Sequence, residues 1–235
     1  MRIAMWSGPR NLSTAMMYAF AARNDCTVWD EPFYAAYLKE TGLSHPMREE
    51  ILKTYETDPQ TVARHCAGAS PGGAAIFYQK HMCHHMVAGF PTDWALDCTN
   101  IFLIRHPARV IASYSAKREA PTLEDLGFAQ QARLFETLGG GLVIDSTDMR
   151  ADPEARLRAL CKAISIPFQP GMLHWPAGGI TQDGIWAAHW YDAIHRSTGF
   201  AGAEGPLPEL TGQAAALERQ ALPYYEALRA YKLDG

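Results

Sequence analysis

The sequence predicts an α/β fold: one domain of three layers, a central mostly parallel sheet with helices on both faces. Three observations lead there. Short apolar runs alternate along the chain with segments of helical pattern, the order that builds a parallel sheet covered on both sides. At 235 residues, 48% hydrophobic and 20% charged, the chain is long enough for one sizeable core and has the composition of a globular protein. Several element ends also carry their own start signals.

The elements follow in order. Residues 2–6 read as a strand and 12–22 as a helix, joined by the turn Ser7-Gly8-Pro9-Arg10-Asn11. A strand at 26–29 precedes helices within 33–41 and 46–67, and a strand at 75–79 precedes a helix around 83–88. The run 101–105 is a strand, and Pro107 opens a helix over 107–117, its fixed φ suiting the first helical position. A helix at 122–138 and a strand at 141–145 follow. Asp152-Pro153-Glu154 places a capping side chain, a proline and an early acid at the start of a helix over 152–164. Residues 168–206 are rich in Gly and Pro yet carry three Trp, the pattern of an ordered loop packed on something rather than a linker. A last helix lies near 208–232. The core spans about 1–167, and 168–235 forms a loop-rich covering segment with a C-terminal helix. Ligands of such sheets bind where the carboxyl ends of the strands meet the following helices, which directs attention to 7–14, 30–34, 80–85 and 105–113.

A formal net charge of −4 argues against general affinity for nucleic acid or an anionic membrane, while leaving room for a local basic pocket. No run approaches the ~18 apolar residues of a membrane helix, and the N-terminus lacks the layout of a signal peptide, so cytoplasm is the expected location. Cys26, Cys66, Cys83, Cys98 and Cys161 contain no C-x-x-C pair. An odd count without pairing fits reduced thiols rather than a disulfide frame or zinc ribbon.

Two stretches have the form of anion sites. "WSGPRNLSTAMM", residues 6–17, is a strand, tight turn and helix, and the first N–H groups of such a helix lack intrahelical partners. It does not match the kinase loop G-x-x-x-x-G-K-[ST]: there is one Gly, no Lys, and an Arg-Asn-Leu-Ser-Thr run. "IFLIRHPARVIASY", residues 101–114, places Arg105 at a strand end and Ser113 eight residues on, about two turns into the next helix. A guanidinium fork suits two phosphate oxygens and a hydroxyl a third. Taken alone, Arg105 equally suits a structural salt bridge and Ser113 a helix-packing contact.

Together the stretches resemble sulfotransferases that use 3′-phosphoadenosine 5′-phosphosulfate (PAPS). "SGPRNLST" is similar to that family's 5′-phosphosulfate loop and "RHPARVIASY" to its 3′-phosphate motif. "VIDSTDMRADPEARLRALCKAISIPF" (143–168) resembles the strand, acidic turn and helix that follow, and "DGIWAAHWY" (183–191) a late segment beside the nucleotide. The resemblance spans roughly 1–195. It implies a P-loop-like form of the predicted fold, PAPS as co-substrate with no metal required, and a donor site of Pro9, Arg10, Asn11, Leu12, Ser13, Thr14, Arg105, Ser113 and Trp186. The family's usual loop Lys is Arg10 here. An arginine does not donate its proton at neutral pH, so Arg10 is expected to neutralise oxygens rather than protonate a leaving group.

Transfer also needs a base for the acceptor hydroxyl or amine. "VWDEPFYAAYL" (28–38) puts Asp30 and Glu31 just past a strand end, resembling the acidic base of some bacterial carbohydrate sulfotransferases. Asp30 is expected to cap the next helix and Glu31 to act as base. "YQKHMCHHM" (78–86) offers the other candidate: Lys80-His81 resembles the Lys-x-His region of cytosolic sulfotransferases, which would put Lys80 on the transferring sulfonate and make His81 or His84 a base. His81, Cys83, His84 and His85 also allow a metal reading, disfavoured by the adjacent histidines and the lack of a second ligand cluster. Phe33, Tyr34, Tyr37, Trp186 and Trp190 are candidates to stack on an acceptor ring, or to be core.

The expected activity is transfer of a sulfonate group from PAPS to a hydroxyl or amine of a small or carbohydrate-like acceptor. No nucleic-acid or membrane partner is expected. The competing readings are a kinase-type phosphotransferase, opposed by the missing Lys-Ser/Thr pair, and a non-catalytic nucleotide-binding protein on the same scaffold.

Overall fold

In the computed structural model, described over residues 1–115 and 121–233, five strands form one parallel sheet. They are β1 (Arg2–Ser7), β2 (Cys26–Asp30), β3 (Ile76–Met82), β4 (Thr99–Ile104) and β5 (Leu142–Asp145), in the order β2-β3-β1-β4-β5. The order reverses at β1, so the crevice of a doubly wound sheet opens beyond its carboxyl end. The register pairs Met5 and Asp30 with Lys80, and Ser7 with Met82 and Leu103.

Twelve helices are described. They are α1 (Ser13–Ala21), α2 (Tyr34–Thr41), α3 (Arg48–Thr54), α4 (Pro59–Ala67), α5 (Pro107–Ser115), α6 (Leu123–Leu126), α7 (Phe128–Thr137), α8 (Ser146–Ala151), α9 (Pro153–Ala163), α10 (Ala187–Trp190), α11 (Asp192–His195) and α12 (Gly212–Arg229). Among these residues no helix is long and apolar enough to cross a membrane.

Strand alternation sorts the core. Ala4 and Trp6 face one side with Phe102, Ile104 and Val143, packing on Val62 of α4, Val110 of α5, Leu134 of α7 and Tyr225 of α12. Ile3 and Met5 face the other with Ile101, Leu103 and Ile144, against Met16 and Phe20 of α1 and Leu157 and Leu160 of α9. A third cluster joins Tyr34, Tyr37 and Leu38 of α2 to Ile51 of α3, Trp186, Ala187 and Tyr191. Burial on both faces is why the strands read as near-continuous apolar runs.

The expected elements are found with informative differences. β3 runs to Met82 rather than ending at 79, which carries Lys80 and His81 into the sheet. Within 46–67 there are two helices, the second starting where Asp58 accepts from the Gln60 and Thr61 amides ahead of Pro59. The 122–138 helix divides at Gly127, whose φ of 73° favours glycine. Residues 83–85 make only a 3₁₀ turn, and α8 was not expected. The last two residues of the expected 107–117 helix lie outside the described residues. Pro107 and Asp152 open their helices as expected, Asp152 accepting from the Ala155 amide at 3.0 Å.

Candidate active site

The loop after β1 is built by close approach. A Cβ on Gly8 would lie 2.5 Å from the Leu126 carbonyl oxygen, so no larger residue fits without moving backbone. Beyond it Arg10 and Leu12 take φ of 62° and 71°, in the left-handed region that side chains rarely adopt. Asn11 is buried and donates from Nδ2 to the Leu103 carbonyl at 3.1 Å, while its own carbonyl accepts from the Ser146 hydroxyl at 2.7 Å. Asn11 thus ties the loop to β4 and α8. Leu12 precedes α1, which starts at Ser13 and Thr14 with no side-chain cap, and the first amides of a helix have no partner within it. Pro9 is half-buried in the same turn.

Three of the expected donor-site residues are joined directly. Arg10 Nε donates to Ser113 Oγ at 2.9 Å, and Arg105 Nη1 donates to the Arg10 carbonyl at 2.6 Å. Burial, reinforced by the Arg105 charge, pushes Arg10 below the usual arginine range. Two guanidiniums side by side make this part of the edge locally positive. Further along the edge Arg105, Arg109 and Arg150 converge on the Glu204 carboxylate, Arg150 at 2.9 Å and Arg109 at 3.2 Å, with the Thr147 hydroxyl 3.2 Å away. Burial opposes ionisation of Glu204, but the three guanidiniums outweigh it and hold the carboxyl below its ordinary range. Arg109, Arg150, Thr147 and Glu204 escaped the sequence reading. Arg150 and Thr147 follow β5 as Arg105 follows β4, a placement that strand order alone reveals.

At the other end of the edge lies an acidic group. Lys80 Nζ donates to Asp30 Oδ1 at 2.9 Å, Glu31 Oε1 at 2.6 Å and the Tyr191 hydroxyl at 2.5 Å. An ammonium has three N–H donors, and all three are engaged here. The Tyr191 hydroxyl lies 2.9 Å from both Asp30 oxygens, and Asp30 Oδ2 also accepts the Gly184 amide at 3.1 Å. Two carboxylates hold Lys80 protonated despite its burial, and burial keeps the Tyr191 phenol protonated. Burial, opposed by Lys80 and aided by Asp30, raises Glu31 above the usual carboxylate range. With one cation for two carboxylates, the group has capacity for one proton. Glu31 is its more accessible member, 11% exposed against 1% for the Asp30 side chain, and holds a left-handed φ of 43°.

Four expectations are corrected. Asp30 is not a helix cap: α2 begins at Tyr34 with no side-chain cap, and the carboxylate is spent on Lys80, Tyr191 and Gly184. Lys80, 1% exposed with its donors engaged, holds Glu31 rather than presenting an N–H to a sulfonate. His81 points to the opposite face from Lys80, as neighbours on a strand must. It stacks on Trp6 at 4.6 Å between Trp94 and Phe33, and burial pushes it down to about 3, leaving a neutral core residue without access to an acceptor. Trp186, 2% exposed, packs on Tyr34 and Tyr55 and donates to the Tyr191 hydroxyl at 3.3 Å. It therefore lies at the acidic end, apart from the Arg10–Ser113–Arg105 group. Tyr34 and Tyr37 stack on the buried His85, and among the described residues no group of three or more metal-ligating side chains gathers.

Comparison with known proteins shows the family and the fold. A family model described as a sulfotransferase domain matches residues 1–232. Two Arabidopsis thaliana proteins, branched-chain-amino-acid aminotransferase-like proteins 2 and 1, are 36% and 37% identical over 97% of this chain. The match covers 41% and 42% of those proteins, so the chain spans about two-fifths of their length. Among solved structures, the sulfotransferase domain of the Synechococcus PCC 7002 olefin synthase superposes with a TM-score of 0.60 at 17% identity, covering 100% of this chain and 96% of that one. A sulfotransferase from Alicyclobacillus acidocaldarius gives 0.54 at 12% identity, over 97% and 94%. The sulfotransferase domain of the curacin biosynthetic pathway gives 0.52 at 15% identity, over 99% and 98%. These three share the fold, and with the family match over nearly the whole length the chain belongs to the sulfotransferase domain family.

Proposed function

We propose that the protein transfers a sulfonate group from PAPS to a hydroxyl or amine of a small or carbohydrate-like acceptor. The observation that carries this reading is the linkage of Arg10, Ser113 and Arg105 at the carboxyl ends of β1 and β4. It supplies a fork, a hydroxyl and the amides of α1 to an anionic donor. The acidic group at the β2–β3 end supplies the proton acceptor.

In this reading the acceptor oxygen or nitrogen attacks sulfur, the bond from sulfur to the 5′-phosphate oxygen breaks, and the electron pair leaves on phosphate. Arg10 and the α1 amides neutralise that charge, a role for fixed donors in a crevice. The acceptor's proton passes to Glu31, and Lys80 and Tyr191 hold the carboxylate in place. Arg105 and Ser113 take the 3′-phosphate. With strands about 4.8 Å apart, Glu31 after β2 and the loop after β1 are separated by two strand steps, about 10 Å, room for an acceptor between base and donor.

The test compares thermal unfolding with PAPS, adenosine 3′,5′-bisphosphate, ATP–Mg²⁺ and no ligand, with EDTA in all but the ATP–Mg²⁺ arm. At a fixed concentration, a ligand that binds the folded state more tightly stabilises it more, with the logarithm of its affinity. Stabilisation by the two 3′-phosphorylated nucleotides is expected, followed by transfer of labelled sulfonate to a panel of alcohols and amines. Stabilisation by ATP–Mg²⁺ alone would replace this reading with the phosphotransferase one. Binding without transfer across the panel would favour the non-catalytic reading.

A further inference from the structure

Residues 201–207 run as a loose strap, exposed at every position except Glu204. A Cβ added at Gly202 or Gly205 would meet nothing within 4 Å, so the backbone there has open space around it. Against this, the Glu204 side chain is 4% exposed and sits among three guanidiniums and the Thr147 hydroxyl. The strap's carbonyls add to the same contacts: Gly202 accepts from Arg150 Nε at 2.9 Å and Gly205 from Arg109 Nη2 at 2.5 Å. In these contacts three positive charges face a single carboxylate. A phosphate, with more acceptor oxygens and up to two negative charges, satisfies such a set more fully than a carboxylate does. Arg105 also touches the Arg10 carbonyl, so Glu204 lies one guanidinium away from the loop after β1.

We propose that Glu204 stands in the place of a ligand phosphate, and that binding of the donor's 3′-phosphate to Arg105, Arg109, Arg150 and Thr147 displaces it together with the 201–207 strap. This inference rests on the donor reading above and adds to it. Arg109, Arg150 and Thr147 become phosphate contacts, and Glu204 becomes an internal competitor that weakens binding of any nucleotide carrying that phosphate. A site closed nine-tenths of the time shows an apparent affinity about tenfold weaker than its intrinsic one.

The experiment titrates the full 235-residue chain and its Glu204→Gln variant with adenosine 3′,5′-bisphosphate, 5′-AMP and inorganic phosphate at fixed ionic strength. Limited proteolysis within residues 201–207 is followed in the unaltered protein. About tenfold tighter binding of the bisphosphate by Glu204→Gln is expected, with no comparable gain for 5′-AMP. In the unaltered protein the bisphosphate should speed cleavage in the strap. Equal or weaker bisphosphate and phosphate binding by the variant, or a strap that becomes more protected on binding, overturns the proposal and makes Glu204 a permanent clamp. The cleavage measurement decides the matter even if Glu204→Gln folds poorly. Tighter inorganic phosphate binding by the variant, with no bisphosphate binding by either protein, upholds the displaceable carboxylate while overturning the PAPS reading.

Discussion

Replacing Arg105 by Ala removes a guanidinium that makes two contacts, one to the Arg10 carbonyl at 2.6 Å and one to Glu204. A hydrogen bond to a charged group contributes about 1.5–3 kcal/mol, and every 1.4 kcal/mol is about tenfold in affinity. Loss of one such bond to the donor's 3′-phosphate should therefore weaken adenosine 3′,5′-bisphosphate binding about 10- to 100-fold. The Arg10 carbonyl also loses its donor in a turn held at a left-handed φ, so a smaller, shared loss is expected for 5′-AMP, which lacks the 3′-phosphate. The assay is titration calorimetry with both nucleotides, with circular dichroism to show that the sheet is intact. The difference between the two losses isolates the 3′-phosphate contact. Equal losses for the two nucleotides would reduce Arg105 to a support for the loop, and unchanged bisphosphate affinity would refute the assignment.

Glu31→Gln should lower sulfonate transfer by ~10²–10⁴ while leaving bisphosphate affinity nearly unchanged; loss of donor binding instead would mean that the carboxylate serves the scaffold. His81 folds with a value near 3 and unfolds to about 6.5. Below pH 6.5 the unfolded chain thus holds one more proton, and stability falls by about 1.4 kcal/mol per pH unit as the medium is acidified. Burial, with His84 next, shifts His85 in the same direction, so the combined slope should be steeper. Urea unfolding at about pH 7.5 and about pH 5.5 measures it, and a flat profile would contradict the burial of both imidazoles. Gly8→Ala must move backbone that would otherwise sit 2.5 Å from the new Cβ, at a cost of about 1–3 kcal/mol read as a lowered unfolding midpoint. An unchanged midpoint would show that the loop yields freely.

The fold was largely legible because its signals are local. Apolar runs, Pro107 and the Asp152-Pro153 start each act over a few residues, and the Arg105–Ser113 spacing survives into the structure as a strand end and a helix position. What failed depended on how far β3 extends. Read as ending at 79, it leaves Lys80 and His81 on the lip of the sheet, both free to face a ligand. Extended to Met82, it fixes them on opposite faces, one beside Asp30 and the other in an aromatic core. Among contacts made across long sequence distances, those between the two anion-site motifs, such as Arg10 to Ser113 across 103 positions, carried a signal; others did not. Glu204 reaches Arg105 across 99 positions with no neighbour in sequence that announces it, and Tyr191, at the end of "DGIWAAHWY", reaches Asp30 across 161, a pairing that segment does not specify.

The left-handed backbone at Arg10, Leu12 and Glu31 sets a conflict between durability and use. Such conformations cost of order 1–3 kcal/mol each in residues other than glycine, and glycine would release that strain at an entropic cost of about 0.5–1 kcal/mol. A screen that rewards only heat resistance should thus drift toward glycine at positions 10 and 31, and each step would delete a charged side chain from one end of the crevice. Retention of Arg and Glu there under selection for activity, and their loss under selection for heat resistance alone, would mark these two turns as the places where this chain trades robustness for chemistry.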